Sequence, residues 1–270
     1  MNKPMFSNPL ETYPGITIDD LNKYLPAILT AEDIAMTEEN MQEGLFLANC
    51  IDGLKNIPDQ SIDLCIVDPS ANVWNKIDGN KQQKTLQEYY KWNINWIDEI
   101  FRVLRNTGAI YLLTNWHYSG MYHNLLSEKF KVQTRITWKN RNQNINNDNP
   151  TWSEKSSDIW FATKSNDFLF NQKAVSLKLD REELLEKPID SNIWVDIPKF
   201  LDENSRKPIE IFIKIIEASS FKLNWILDPF MATGDIGLAS KISGRRFIGF
   251  ESDKDRLLLA MKRIDQQKLK

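Results

Sequence analysis

The chain has few of the residues that build metal centres and disulfide frameworks. Two histidines, His117 and His123, and two cysteines, Cys50 and Cys65, occur in 270 residues. Neither cysteine stands at the spacing of a zinc or redox motif, so both read as buried thiols and no metal is expected. An excess of charge of one sign is missing as well. Thirty-four basic side chains against 37 acidic ones leave a formal net charge of -3, which advertises no polyanionic partner, although a local basic strip fits inside an acidic total. No apolar run is long enough to cross a bilayer, and the opening MNKPMFSNPLETYPG is too polar for a signal sequence. No membrane partner is expected. The simplest location is intracellular: cytoplasm or nucleoid, or nucleus in a eukaryote. Glycine is sparse, at 10 residues, and its spacing matches neither the dinucleotide nor the triphosphate fingerprint.

What is present is enough apolar material for one sizeable core. Hydrophobic residues make up 41% of the chain and nine are Trp. Residues 1–44 read as an N-terminal arm of short helices broken at Pro26, acidic in its second half, and suited to packing on the core or a partner. From Leu45 the rhythm becomes α/β. LFLAN and IDLCIVD are compact apolar runs, the second nearly continuous as in a strand covered on both faces. Trp92, Trp96, Ile100 and Leu104 fall four apart, a helix stripe, and Gly108 suits a left-handed exit after it. AIYLLTN, VQTRITWK and DIWFATK read as strands, the last two separated by an Asn-rich loop. PIEIFIKIIEASS is helix, NWILDPF strand, DIGLASKI helix, RRFIGFE strand, and a helix closes the chain. The expected division is 1–44 arm, 45–164 first part of the core, 165–202 a small lobe for recognition or partner contact, and 203–270 the second part of the core. Alternating strands and helices imply an α/β fold with a doubly wound, mostly parallel sheet, whose ligands bind beyond the carboxyl ends of its strands.

Two such ends carry polar chemistry. IVDPSANVW places Asp68 and Pro69 where a buried strand breaks into a turn. In ILDPFMATGDIG, Asp228 ends a strand and the following turn opens a helix. Gly234 lets backbone approach a ligand there, and Glu251 ends the next strand, where a carboxylate can take both hydroxyls of a ribose. A nucleoside-bearing cofactor fits; so does a plain tight turn followed by a capping acid.

Together the segments DPSA at 68–71, RKP at 206–208, DPFMATGDIG at 228–237 and GRRFIGFE at 244–251 resemble the amino-methyltransferases of DNA that make N6-methyladenine or N4-methylcytosine. The resemblance runs from about Leu45 to Leu269. It implies the S-adenosylmethionine-dependent methyltransferase fold, with DNA as partner. The catalytic-type segment precedes the cofactor-type segment, as in the permuted, beta subgroup. The resemblance also implies a catalytic segment Asp68, Pro69, Ser70, Ala71, in which Asp68 and the Pro69 carbonyl accept hydrogen bonds from the target amine. The cofactor-binding set it implies is Asn49, Asp52, Lys207, Asp228, Phe230, Ala232, Gly234 and Glu251.

Several positions depart from the family pattern. Ser70 and Ala71 stand where a second proline and a stacking aromatic are usual, and Trp74 is a possible substitute surface. Ala232 replaces a glycine, Asp235 a neutral residue near the cofactor's carboxylate, and Asn49 an acid for which Asp52 offers a replacement. Ser157-Asp158 replaces a frequent His-Glu pair. Such changes fit a subunit that is weak or inactive alone and supports DNA binding or assembly beside an active methyltransferase subunit or a second copy. The alternative is an active S-adenosylmethionine-dependent enzyme. For DNA, Lys129, Lys131, Arg135, Lys139 and Arg141 read either as a phosphate-facing edge or as a solvated strand rim.

Overall fold

The computed structural model describes residues 11–13, 15–34, 38–69, 85–139, 156–171, 191–195, 197 and 207–267. A small hairpin, β1 (Glu11–Tyr13) and β2 (Ile16–Thr17), leads into α1 (Ile18–Tyr24). The first run of core elements is β3 (Leu29–Thr30), β4 (Gly44–Leu47), α2 (Cys50–Lys55), β5 (Ile62–Val67), α3 (Leu86–Val103), β6 (Leu104–Thr114), α4 (Trp116–Lys129), β7 (Lys131–Lys139) and β8 (Ser156–Thr163). The second run is β9 (Ile193–Trp194), α5 (Ile209–Ser219), β10 (Trp225–Asp228), α6 (Asp235–Ile242), β11 (Arg246–Glu251) and α7 (Lys254–Asp265).

Among the described residues, nine strands form one sheet in the order β3-β4-β11-β10-β5-β6-β8-β7-β9, and only β8 runs antiparallel to its neighbours. This is the doubly wound, mostly parallel α/β sheet expected from the alternation. The period-two rule divides the strands cleanly: Cys65 and Val67 of β5 join one apolar layer with Trp225 and Leu227, while Leu64 and Ile66 face the other with Ile226. The first layer is closed by α2, α3 and α4, the second by α5, α6 and α7. Both faces are therefore dry, which is why β5 reads as a continuous apolar run.

The stripe on α3 is buried as its spacing requires. Trp92, Trp96 and Ile100 lie inside, and a Thr85–Glu88 capping box starts the helix. Its exit differs from expectation. The helix stops at Val103, Leu104 already belongs to β6, and Gly108 has no positive φ. Gly108 sits where β6 kinks against β5, Ile62 pairing with Leu104 but Leu64 with Ala109. A Cβ there would meet the Arg105 carbonyl at 2.9 Å, so glycine is set by close approach.

The arm is built into the core. Lys262 Nζ on α7 donates to Asp20 at 2.7 Å and to the Gly15 carbonyl at 2.9 Å. Lys23 and Tyr24 both donate to Asp265, at 2.6 and 2.9 Å. Ile16, Tyr24 and Leu258 form a buried satellite cluster beneath them, and β3 adds an edge strand to the sheet. Of the small lobe, β9 pairs with the end of β7 and so continues the main sheet. Cys50 and Cys65 are free and buried, and burial pushes the Cys50 thiol up to about 12. Among the described residues no helix is long and apolar enough to cross a membrane, and no group of three or more His, Cys, Asp or Glu stands ready for a metal.

Candidate active site

All strands except β8 end at one edge of the sheet, so the tips of β5, β10 and β11 converge there with Asp68, Asp228 and Glu251. They border one cavity of about 520 Å³, together with Asn49, Phe230, Ala232, Asp235 and Arg256. That volume lies in the range of small-molecule and cofactor sites.

Asp228 forms the floor. It is 1% exposed, and its carboxylate accepts from the Phe230 backbone N–H at 3.0 Å. Burial, with the nearby charges of Asp68, Asp235 and Glu251, pushes this carboxyl well above its ordinary value. Phe230 is fixed from the other side by two indoles of α3, with ring centroids 5.5 Å from Trp92 and 5.4 Å from Trp96. The helix stripe seen in the sequence thus aims an aromatic ring at the cavity. At the tip of β11, Glu251 accepts from the Asp253 N–H at 2.8 Å, and burial raises its carboxyl above the usual value.

The loop between β10 and α6 departs from expectation at Gly234. It is not in the cavity wall; its φ is +80° at the start of α6, and an added Cβ would meet Ala260 Cβ at 2.9 Å. Its glycine serves a left-handed turn and close packing on α7. The residue that does face the cavity is Ala232, held at φ +47°, a conformation costing an L-residue about 1–2 kcal/mol. The negative charge expected from Asp235 is answered by Arg263, whose Nη2 lies 2.5 Å from Asp235 Oδ1. The same guanidinium donates to the Thr233 carbonyl and ties the loop to α7.

Asn49 lines the cavity and caps α2, accepting from the Asp52 N–H at 3.0 Å and donating to the Asp52 carboxylate at 2.5 Å. Asp52 itself borders a separate surface hollow with Glu32 and Lys55. It does not take up the cavity position left by an acid at 49. Lys207 is likewise outside the cavity wall, yet its Nζ reaches Asp68 Oδ2 at 2.5 Å. Arg256, on the first turn of α7, enters the wall without having been marked by any motif.

The basic strip is divided. Lys129 ends α4 at the opposite edge of the sheet from the cavity and pairs with Asp98 at 3.1 Å, whereas Lys139 ends β7 at the cavity edge. Arg135 lies between them, its Nε 3.8 Å from Asp158 Oδ1. At ~3.3 Å per residue, β7 separates the two ends by roughly 25 Å. These cations do not form one phosphate-facing edge. Asp158, from the altered His-Glu pair, also accepts from Ser119 Oγ at 2.5 Å. Ser70, Ala71, Trp74, Arg141 and the Asn-rich loop lie outside the described residues.

The family model described as DNA methylase, for the N6/N4 methyltransferases, matches residues 62–262. The chain belongs to the N6/N4 DNA methylase family. Among relatives in this family, the Type II methyltransferase M.HpaI of Haemophilus parainfluenzae is 26% identical over 245 residues, covering 84% of this chain and 76% of its own. The DNA adenine methyltransferase YhdJ of Escherichia coli is 24% identical over 233 residues, covering 78% and 79%. At the level of fold, the DNA methylase architecture is shared with two solved structures. TTHA0409 of Thermus thermophilus, complexed with S-adenosyl-L-methionine, superimposes with a TM-score of 0.64 at 18% identity, covering 83% of this chain and 94% of that one. The cytosine-N4-specific PvuII DNA methyltransferase gives 0.66 at 14%, covering 88% of each.

Proposed function

We propose that this chain is a working S-adenosylmethionine-dependent methyltransferase acting on an exocyclic amine of DNA, adenine N6 or cytosine N4. The observation that carries this reading is the shared cavity: the carboxylates of Asp68 and Glu251 border the same space. An acceptor for a target amine and an acceptor for ribose hydroxyls therefore face one site. This reverses the order of the two readings drawn from the sequence. The substitutions that argued for a silent chain are partly compensated, since Arg263 neutralises Asp235 and the turn at Ala232 holds its shape with a Cβ in place.

The residues suit the cofactor. Glu251 is positioned to accept from the ribose, the Phe230 ring offers an apolar wall, and Pro229, Met231, Ala232 and Asp235 border the rest. S-Adenosylmethionine, when bound, supplies an electrophilic methyl group on a sulfonium sulfur. Asp68 accepts a hydrogen bond from the amine to be methylated, and the Pro69 carbonyl accepts another, which orients the nitrogen lone pair toward the cavity. Orientation in a dry site provides much of the rate in such transfers. The sequence order of the two segments, Asp68 just after β5 before Asp228 at the end of β10, supports placing the chain in the permuted subgroup, and the two strands lie side by side in the sheet.

A second reading, a weak subunit within a complex, keeps one observation in its favour: Ala71 has no ring on which an extruded base can stack. Calorimetry with S-adenosylmethionine, followed by transfer of labelled methyl to mixed-sequence DNA by the unaccompanied chain, separates the two. Binding and transfer support the first; binding without transfer supports the second.

A further inference from the structure

Among the described tryptophans, Trp92, Trp96, Trp138, Trp194 and Trp225 are buried and Trp160 is half-buried, whereas Trp116 is 61% exposed. A single exposed apolar side chain is ordinary on a protein surface, so what this indole can do is decided by how it is held and by what lies beside it. Trp116 opens α4, directly after Asn115, whose side chain caps the helix by accepting from the Tyr118 N–H at 3.3 Å. Its ring lies against the His117 imidazole, with centroids 3.8 Å apart and planes 31° from parallel. Helix start and ring pair together restrict its rotamers, so the exposed face is preorganised.

Its place on the sheet supplies the ligand class. Val67 of β5 pairs with Leu112 of β6, which puts Pro69 level with Thr114 and Trp116 just beyond. With neighbouring strands ~4.8 Å apart, the Trp116 backbone stands on the order of 10 Å from Asp68 and Pro69, on the cavity edge. Continuing along that edge, Thr114 pairs with Asp158 of β8, and Ser156 of β8 pairs with Lys139 at the end of β7. An amine acceptor, a flat uncharged ring, the Asp158 carboxylate engaged by Arg135 and Ser119, and a cation thus follow one another along one crest.

We propose that Trp116, backed by His117, is the platform on which this chain stacks a nucleobase beside Asp68, supplying the contact that Ala71 cannot make; the inference rests on the DNA amino-methyltransferase reading. Stacking on an aromatic side chain is worth about 1–3 kcal/mol per base and is indifferent to sequence. It also adds nothing to the ionic part of binding.

The test compares the full-length wild type with Trp116→Ala and Trp116→Phe. Binding is measured by anisotropy to a mixed-sequence single-stranded oligodeoxynucleotide and to the same strand with its bases removed, over a range of salt. Trp116→Ala should weaken binding of the base-bearing strand about tenfold and Trp116→Phe should restore most of it. The abasic strand should bind all three proteins alike, and the slope of log K against log salt should not change. An unchanged thermal midpoint reports intact folding of these surface variants. Equal binding of the base-bearing strand by wild type and Trp116→Ala would overturn the inference and leave the methyltransferase reading standing. An equal loss on both strands would also overturn it. Failure of the wild type to bind any DNA at low salt would overturn the methyltransferase reading and the inference with it, and would leave a protein partner as the occupant of this surface.

Discussion

Lys207 Nζ lies 2.5 Å from Asp68 Oδ2, although 139 residues separate them in sequence. Both side chains are partly exposed, 25% and 33%, so the ion pair itself contributes little to stability. Its consequence is positional. A carboxylate held from one side presents its remaining lone pairs in a fixed direction, toward the cavity it borders.

Lys207→Met should therefore lower the rate of methyl transfer about tenfold through loss of orientation. S-Adenosylmethionine affinity should change less than about threefold, because Lys207 is outside the cavity wall. Lys207→Arg should retain most of the rate. Calorimetry alongside single-turnover transfer distinguishes the two effects; a loss confined to cofactor affinity would place Lys207 on the cofactor instead.

The Asp235–Arg263 pair makes a second claim testable. If Arg263 is what allows an acid beside the cofactor's carboxylate, then Arg263→Met should weaken cofactor binding roughly three- to tenfold. Adding Asp235→Asn should recover much of that loss. Isothermal calorimetry on the single and double variants reads this directly, and the absence of recovery would mean that Arg263 acts through its bond to the Thr233 carbonyl.

Glu251 carries a pH signature. Burial raises its carboxyl above the ordinary 4.5, so the folded chain holds this proton more tightly than the unfolded one. Its contribution is favourable at low pH and is lost as pH climbs from about 4.5 through the raised value. Glu251→Gln, which cannot ionise, should gain in thermal midpoint relative to wild type as pH rises across that window. The same variant should bind S-adenosylmethionine at least tenfold more weakly at neutral pH, having lost a charged acceptor. Melting curves from pH 4 upward check the first statement; a constant difference at every pH would contradict it.

The sheet was legible because its chemistry is local. A strand dry on both faces must be continuously apolar, as Ile62–Val67 is, and a helix lying on it must repeat every three or four residues, as Trp92, Trp96 and Ile100 do. The strand tips Asp68, Asp228 and Glu251 were legible for the same reason, each being a polar stop at the end of an apolar run. What the sequence concealed depends on partners far along the chain. Nothing near Asp235 announces Arg263, and nothing near Asp68 announces Lys207. Gly234 looked like a ligand-facing glycine because its real neighbour, Ala260, is on another helix. The arm left packing on the core and packing on a partner open, because its counter-charges, Lys262 above all, sit at the other end of the chain. The run of basic residues from Lys129 to Arg141 looked like a single strip because sequence does not show that β7 spans the depth of the sheet.

The docked arm gives a stability prediction. Tyr24 is 5% exposed, packs in the cluster with Ile16 and Leu258, and donates its hydroxyl to Asp265. Tyr24→Ala should cost on the order of 2–4 kcal/mol by cavity formation and the lost hydrogen bond. Deleting residues 1–40 should lower the denaturation midpoint further, since it uncovers Leu258 and removes an edge strand. Urea unfolding of both forms measures this, and an undiminished midpoint after deletion would show the arm to be an accessory.

The central claim is that Asp68 accepts the amine of a DNA base at the mouth of a cofactor cavity. The most direct measurement is transfer of labelled methyl from S-adenosylmethionine to mixed-sequence duplex and single-stranded DNA, by the wild-type chain and by Asp68→Ala side by side. Label in DNA with the wild type, at the exocyclic amine of adenine or cytosine, and none with a folded Asp68→Ala that still binds the cofactor, is the predicted result. Transfer that survives in Asp68→Ala, or no transfer by a folded wild type that binds the cofactor, would contradict it.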